Sequence, residues 1–414
     1  MNGTRRLFIG WIAFTALLLF WSPTIAAETF KPTPITLKTA DILPPALLQG
    51  SNYKLAETVH NDGVINTYRI DTDYGFFYAE STPELLLIIN DLNALIEMQK
   101  LSRLDAFKGT LVSRIKAPVK LVGNVATAPV ETTKDIFKGT GGWLSNLGRS
   151  IYSRDPHQAN IFKVALGYDI NKRVFAYEYN INPYTSFEPT EKRLGEIARA
   201  ANAGSILPRA ALLAVGGVVA TSISLSSTAK VMKLLVRDNP PGALAKINRK
   251  KLLAMEVEPE IIDAFFSNDN YDPETRTILV GELETLKGVA GRSFFIAAAT
   301  LAVEPSGALL YRITAQMMAS YHRKIAPAVE INVVSGRPFI RNKDGFVVLP
   351  LPVDYMFWTE AVAIRLAAIE QDLNRVENVK GRELWVLGKV DAGAETRLKK
   401  QGWKIFQNLN PIIN

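Results

Sequence analysis

The stretch Tyr53-Lys54-Leu55-Ala56-Glu57-Thr58-Val59-His60-Asn61-Asp62-Gly63-Val64-Ile65-Asn66-Thr67-Tyr68-Arg69-Ile70 sets the fold class of the first third of this chain. Apolar and polar residues alternate on both sides of Asn61-Asp62-Gly63, the period of a strand with one buried face. Asn, Asp and Gly tolerate the positive φ of tight turns, so the joint predicts a hairpin. A second joint, Asp71 to Gly75, leads into Phe76 to Glu80. Strands at Tyr53 to His60, Val64 to Ile70 and Phe76 to Glu80 therefore form a small antiparallel meander.

Working forward, Ser81-Thr82-Pro83-Glu84 supplies a capping hydroxyl, a proline suited to a first turn and an early acid. Leu85, Ile88, Ile89, Leu92, Leu95 and Ile96 then recur at helical spacing, an apolar face to lie on the meander. Residues 53–103 are thus one module, sheet plus helix. Working backward, Pro32, Pro34, Pro44 and Pro45 predict an extended leader over 28–52 with no regular structure of its own.

Residues 1–27 carry the pattern of an export signal. Arg5 and Arg6 precede an apolar run, Leu7 to Trp21, and Ile25-Ala26-Ala27 suits cleavage after Ala27. The run is shorter than the roughly 20 residues of a spanning helix. Arg5-Arg6 also fits a twin-arginine signal, which would carry the protein out already folded. The expectation is an exported protein, with the periplasm as its compartment and the inner membrane as a neighbouring surface.

Beyond the first module, Ala117-Pro118-Val119 recurs as Ala128-Pro129-Val130, and Gly139 to Gly142 resembles a hinge. Over 105–154, eight basic residues (Lys108, Arg114, Lys116, Lys120, Lys134, Lys138, Arg149, Arg154) outnumber Asp105, Glu131 and Asp135. Residues 104–155 read as a basic, amphipathic helical connector. Lysines beside an apolar face and Trp143 are what binding to anionic lipid needs. Lys108, Arg114, Lys116, Lys120, Lys134, Lys138, Trp143 and Arg149 are therefore the candidate contacts for a membrane surface or another envelope protein.

Residues 156–326 predict a helical domain, with helices at 189–202, 208–236, 242–255, 258–266, 273–287, 290–303 and 306–325. Val174 to Tyr179, rich in aromatics, suits a strand. Residues 327–414 return to alternation at Val329 to Val334, Pro338 to Arg341 and Phe346 to Leu351, with Asn342 to Gly345 as a turn. A helix over Trp358 to Glu377 follows, then Glu383 to Gly388, Ala392 to Gln401 and Trp403 to Phe406 as a strand, helix, strand crossover. The class is α+β: meander plus helix, mostly helical middle, C-terminal α/β module.

Composition narrows the chemistry. The chain of 414 residues is 48% hydrophobic and 21% charged, in the range of folded globular proteins. It has no cysteine, which excludes disulfides and thiolate nucleophiles. A net charge of +8 favours anionic surfaces, without the basic stripe and interleaved aromatics of nucleic-acid binding.

Motifs add little. His60, His157 and His322 fall in no metal-ligand pair, and His322, near a helix end, suits the dipole as a cation. Asn268, Asp269, Asn270, Asp272 and Glu274 crowd oxygens together without the acid spacing of a calcium loop, and Asp272 reads as a cap. Asp71 and Asp73 read as turn residues. Ser306 sits where a helix cap belongs, and Gly139-Thr140-Gly141-Gly142 lacks the lysine of a phosphate loop. No cofactor motif is present.

Gly288-Val289-Ala290-Gly291-Arg292, Tyr321 to Pro327, Asp344 to Thr359 and Gly402-Trp403 together resemble a family of uncharacterised exported bacterial proteins. The likeness spans Tyr53 to Phe406, and the glycine-rich piece Lys138 to Arg149 is longer here than in that pattern. It implies export and a shared fold, and carries no activity. The favoured expectation is a non-catalytic, envelope-associated structural or interaction protein. Its rivals are a hydrolase using Asp263, Asp269, Asp272 or Glu304, and a membrane-inserting protein using the uncharged stretch 210–229.

Overall fold

Alternation at Tyr53 to Ile70 produces the antiparallel sheet it predicts. Strand β4 (Asn66–Thr72) is central, β5 (Gly75–Glu80) lies on one flank, and β2 (Tyr53–Leu55) and β3 (Thr58–Asn61) lie end to end on the other. The predicted first strand is interrupted at Ala56-Glu57, yet Ala56 N still donates to Arg69 O at 3.0 Å. The computed structural model describes residues 29–102, 156–203 and 226–409. The described residues from Lys31 onward form one compact unit.

The leader is not featureless. Strand β1 (Ile35–Lys38) pairs antiparallel with β3, and one-turn helices α1 (Thr39–Ile42) and α2 (Pro45–Leu48) follow. Ile35 and Leu37 alternate with Thr36 and Lys38, which is enough for an edge strand. Pro45 opens α2, where a missing N–H breaks no helical bond.

Helix α3 (Thr82–Ser102) buries Leu85, Ile89 and Leu92 against Tyr53, Tyr68 and Ile70 of the sheet. One turn on, Ala94, Leu95 and Met98 pack against α4 (Pro156–Glu178) and α5 (Glu188–Asn202). A single helix thus ties the sheet to the helical layer. In place of the strand expected at Val174 to Tyr179, α4 runs to Glu178 and Tyr179 begins the turn after it; Phe175 and Tyr179, four residues apart, are both buried in one cluster. Tertiary burial overrides the β preference of aromatics there.

The middle continues as α6 (Ser227–Asp238), α7 (Pro241–Ala254), α8 (Pro259–Phe266), α9 (Pro273–Thr285), α10 (Arg292–Ala299) and α11 (Pro305–Lys324). Asp272 caps α9 by accepting from Glu274 N and Thr275 N, followed by Pro273 at the first turn, as the sequence predicts. Ser306 does not cap α11; Glu304 holds that position, and the proline that follows sets the start one residue earlier.

The second sheet runs β12 (Trp403–Phe406), β10 (Gly381–Val386), β8 (Phe346–Leu351), β7 (Arg337–Asn342), β6 (Ala328–Val334). Its β6–β7–β8 part is antiparallel and its β8–β10–β12 part parallel, the crossover predicted at 383–406. Period two decides its faces. Val348 and Trp385 join Met317, Met318 and Tyr321 of α11 in one core, while Val347, Leu349, Leu384 and Val386 join Val362, Leu366 and Ile369 of α12 (Glu360–Leu373) and Leu398 of α13 (Ala392–Lys400) in another. The sheet is therefore covered by helices on both faces, as parallel strands require.

Candidate functional site

Strands β8, β10 and β12 are parallel, so their carboxyl ends open on one side. Asp354 and Tyr355 follow β8, Leu387, Gly388 and Lys389 follow β10, and Asn408 follows β12. Together with Ile42, Asn66 and Tyr68 and with Thr82, Pro83 and Leu86 from the first turn of α3, they line a cavity of about 270 Å³. The ends of parallel strands are where open α/β sheets place ligands, because the connecting loops diverge there and leave a crevice.

The predicted Asn61-Asp62-Gly63 turn builds this seam. Gly63 O accepts from Phe357 N at 2.8 Å, and Val64 O accepts from Asp354 N at 3.0 Å and Tyr355 N at 3.2 Å. Gly63 has φ +113°, and a Cβ there would lie 2.8 Å from Thr359 Oγ1. Gly388 is needed for a different reason: its missing Cβ would lie 1.9 Å from Asp354 O. Lys389 N can therefore reach Asp354 O at 3.0 Å, joining β9 (Tyr355–Met356) to β11 (Lys389–Val390).

Asp354 is the buried carboxylate of the cavity, 8% exposed. Its Oδ2 accepts from Asn66 N and its Oδ1 from Thr82 N, each at 2.9 Å, the second at the positive end of α3. Burial pushes its carboxyl up to about 6, against the pull of those N–H groups, with Asp62 raising it further. Beside it, Tyr68 OH accepts from Asn66 Nδ2 at 2.8 Å and shares a hydrogen with Thr82 Oγ1 at 2.7 Å. Asn61 Nδ2 extends the chain to Asn66 Oδ1 at 2.8 Å. Burial, then the charge of Asp354, raises the Tyr68 phenol, so it stays a neutral donor and acceptor. Among the described residues no side-chain cation pairs with Asp354; Lys389 stands exposed at the rim.

Buried charges in the helical middle are arranged differently. Lys233 on α6 lies 3.6 Å from Glu274 on α9 and donates to Asn180 Oδ1 at 3.1 Å. Arg323 on α11 lies 3.3 Å from Glu282, which also accepts from the Ser226 hydroxyl. Burial raises both glutamates, opposed by Lys233 for Glu274 and by Ser226 and Arg323 for Glu282. Asp91 on α3 is pushed up to about 7 by burial, opposed by the Thr185 hydroxyl and by Lys233.

The residues singled out from the sequence lie elsewhere. Lys108, Arg114, Lys116, Lys120, Lys134, Lys138, Trp143 and Arg149 fall outside the described residues, as do residues 1–27, the Gly139 to Gly142 hinge and most of 210–229. Asp263, Asp269 and Glu304 are exposed and Asp272 is a cap; none of the four lines the cavity. Asn268 and Asn270 spend their side-chain amides on Ala302 O, at 2.8 and 3.0 Å. His322 is not a helix-end cation: its Nδ1 accepts from Ala328 N at 3.0 Å, and burial with Arg323 lowers its pKa, so the ring is neutral. Among the described residues no group of His, Asp and Glu is placed to hold a metal ion, and no helix is long and apolar enough to cross a membrane.

Sequence reading missed Asp354. Its signal was a lone charge in the apolar run Phe346 to Trp358, where a buried acid costs too much to be casual. Comparison of the chain with protein-family models, with curated proteins and with solved structures finds no match.

Proposed function

We propose that this chain is an exported, non-catalytic binding protein of the cell envelope whose ligand site is the seam cavity. One observation carries the reading: a buried carboxylate, a phenol, a hydroxyl and an amide converge on a cavity at the carboxyl ends of three parallel strands. Apolar walls with a few convergent polar groups are the usual make-up of a small-molecule site. Binding is favoured over turnover because, among the described residues, Asp354 is the one carboxylate lining the cavity, and both its oxygens are already held by main-chain N–H groups. A hydrolase would need a second acid or a nucleophile facing it. The export half rests on residues 1–27 and the resemblance described above.

The test is a thermal-shift screen of the purified protein against small polar metabolites. A ligand that raises the melting temperature of the wild type and not of Leu86→Trp, which fills the cavity, is the expected result. A screen in which every stabilising compound acts equally on Leu86→Trp overturns the site. N-terminal sequencing of the native product tests export, and an intact Met1 in a cytosolic fraction overturns it.

A further inference from the structure

The seam cavity also constrains what it holds; this inference rests on its being a ligand site. We propose that the ligand is a small primary amine whose ammonium group sits against Asp354. Each buried glutamate of the helical middle has a side-chain cation within 3.6 Å, Lys233 for Glu274 and Arg323 for Glu282. Asp354, also buried, has the N–H groups of Asn66 and Thr82 and the Thr82 hydroxyl, and no side-chain cation among the described residues. A carboxylate offers about four lone-pair sites, so acceptor capacity remains toward the cavity. The described residues thus supply a buried negative charge, space beside it, and no cation paired with it.

The surroundings select among cations. A metal ion such as calcium takes six or more oxygen ligands with several carboxylates among them, and the described residues of the cavity lining include one. An ammonium needs three acceptors, and the Tyr68 and Thr82 hydroxyls stand beside Asp354 to supplement it. Pro83, Leu86, Ile42 and Leu387 offer a carbon chain apolar contact. At about 30 Å³ for each water-sized group, 270 Å³ admits on the order of ten non-hydrogen atoms. Lys389 at the rim suits an anionic far end, which makes an amino acid the favoured form of the amine.

Calorimetric titration of the full-length protein with n-butylamine, 4-aminobutyrate, butyrate and n-butanol tests this. We expect both amines to bind at least tenfold more tightly than butyrate or n-butanol, and Asp354→Asn to lose at least tenfold for the amines. Binding should weaken about tenfold between pH 7 and pH 5, as a carboxyl near 6 takes up its proton; the other titratable groups facing it are Asp62, Tyr68 and Lys389. Lys389→Ala should reduce 4-aminobutyrate to the affinity of n-butylamine. If Asp354→Asn does not fold, the pH dependence and the loss of amine binding in Leu86→Trp carry the test on folded protein. Binding of butyrate or n-butanol, blocked by Leu86→Trp, with amines no tighter, overturns the ammonium assignment and leaves the ligand site standing. Failure of all four probes overturns the amine, and the metabolite screen then decides the site separately.

Discussion

Two sets of buried carboxylates divide this molecule. In the helical middle, Glu274 faces Lys233 and Glu282 faces Arg323, each across a helix pair, so the charges are neutralised by residues whose helices pack together anyway. At the seam, Asp354 is held by main-chain N–H groups from the antiparallel sheet and from the start of α3, with a cavity next to it. The first arrangement closes on itself and serves packing. The second joins two parts of the chain and leaves one side of the carboxylate for something else. A buried charge costs several kcal/mol unless it is paired, so the place where pairing is incomplete is the informative one.

The largest effect should come from breaking the closed arrangement. Lys233→Met keeps the packing and removes the cation, leaving Glu274 and Asp91 in low dielectric. We expect a loss of about 3–5 kcal/mol at pH 8 in urea denaturation, since removing one partner strands the other. Because burial already raises both acids, protonation relieves them, and the loss should shrink at pH 5. A loss below about 1 kcal/mol would mean that Lys233 does not balance them, and the contrast with the seam would fail.

At the seam, Asp354→Ala strips the acceptor from Asn66 N and Thr82 N at once. Two orphaned donors predict a loss of about 2–4 kcal/mol, and unlike with Lys233→Met the loss should grow at pH 5, because the wild-type carboxyl, pushed up to about 6, takes up a proton that favours the fold and the variant has no stranded acid to relieve. Equal relief by acid in both variants would erase the distinction drawn between the two regions.

How much of this was legible in the sequence follows the distance between interacting residues. The Asn61-Asp62-Gly63 turn, the Asp272-Pro273 cap and the alternation of Phe346 to Leu351 are local, each decided within a few residues by φ preference, capping or period, and each was readable. Asp354 and Asn66 are 288 positions apart, and nothing near either residue encodes the other. Strand β1 was hidden for a related reason: its partner β3 is some twenty residues on, and the prolines around it argue for extended chain until that partner is known. Of the candidate site, the turn residues that dock it were visible and the carboxylate was not.

A smaller effect separates the acids within the helical middle. Asp91 has an ordinary value of 3.8 and is pushed up to about 7, so the folded protein binds that proton more readily than the unfolded chain does. Its contribution therefore favours the fold below pH 4 and is lost as pH rises toward 7. Asp91→Asn keeps a partner for the Thr185 hydroxyl and removes the titration. Melting curves should show it about 1–2 kcal/mol more stable than wild type at pH 8, with the two converging near pH 4. A variant less stable at pH 8 would show that the pull of Lys233 and Thr185 outweighs burial, and that Asp91 belongs with the fully paired charges.

The smallest change sharpens the seam itself. Tyr68→Phe removes the hydroxyl that accepts from Asn66 Nδ2 and shares a hydrogen with Thr82 Oγ1, leaving the ring in the sheet core. About 1 kcal/mol should be lost, the ordinary net worth of a hydrogen bond. The useful quantity is its coupling with Thr82→Val. If Asn61, Asn66, Tyr68 and Thr82 act as one chain, the double variant should lose less than the sum of the singles by at least about 0.5 kcal/mol, since the second substitution removes a bond already broken. Full additivity would mean that the hydroxyls are held independently, so that each is free to turn toward the cavity, and the chain would then be a set of separate hydroxyls aimed at a ligand and not a lock between the two sheets.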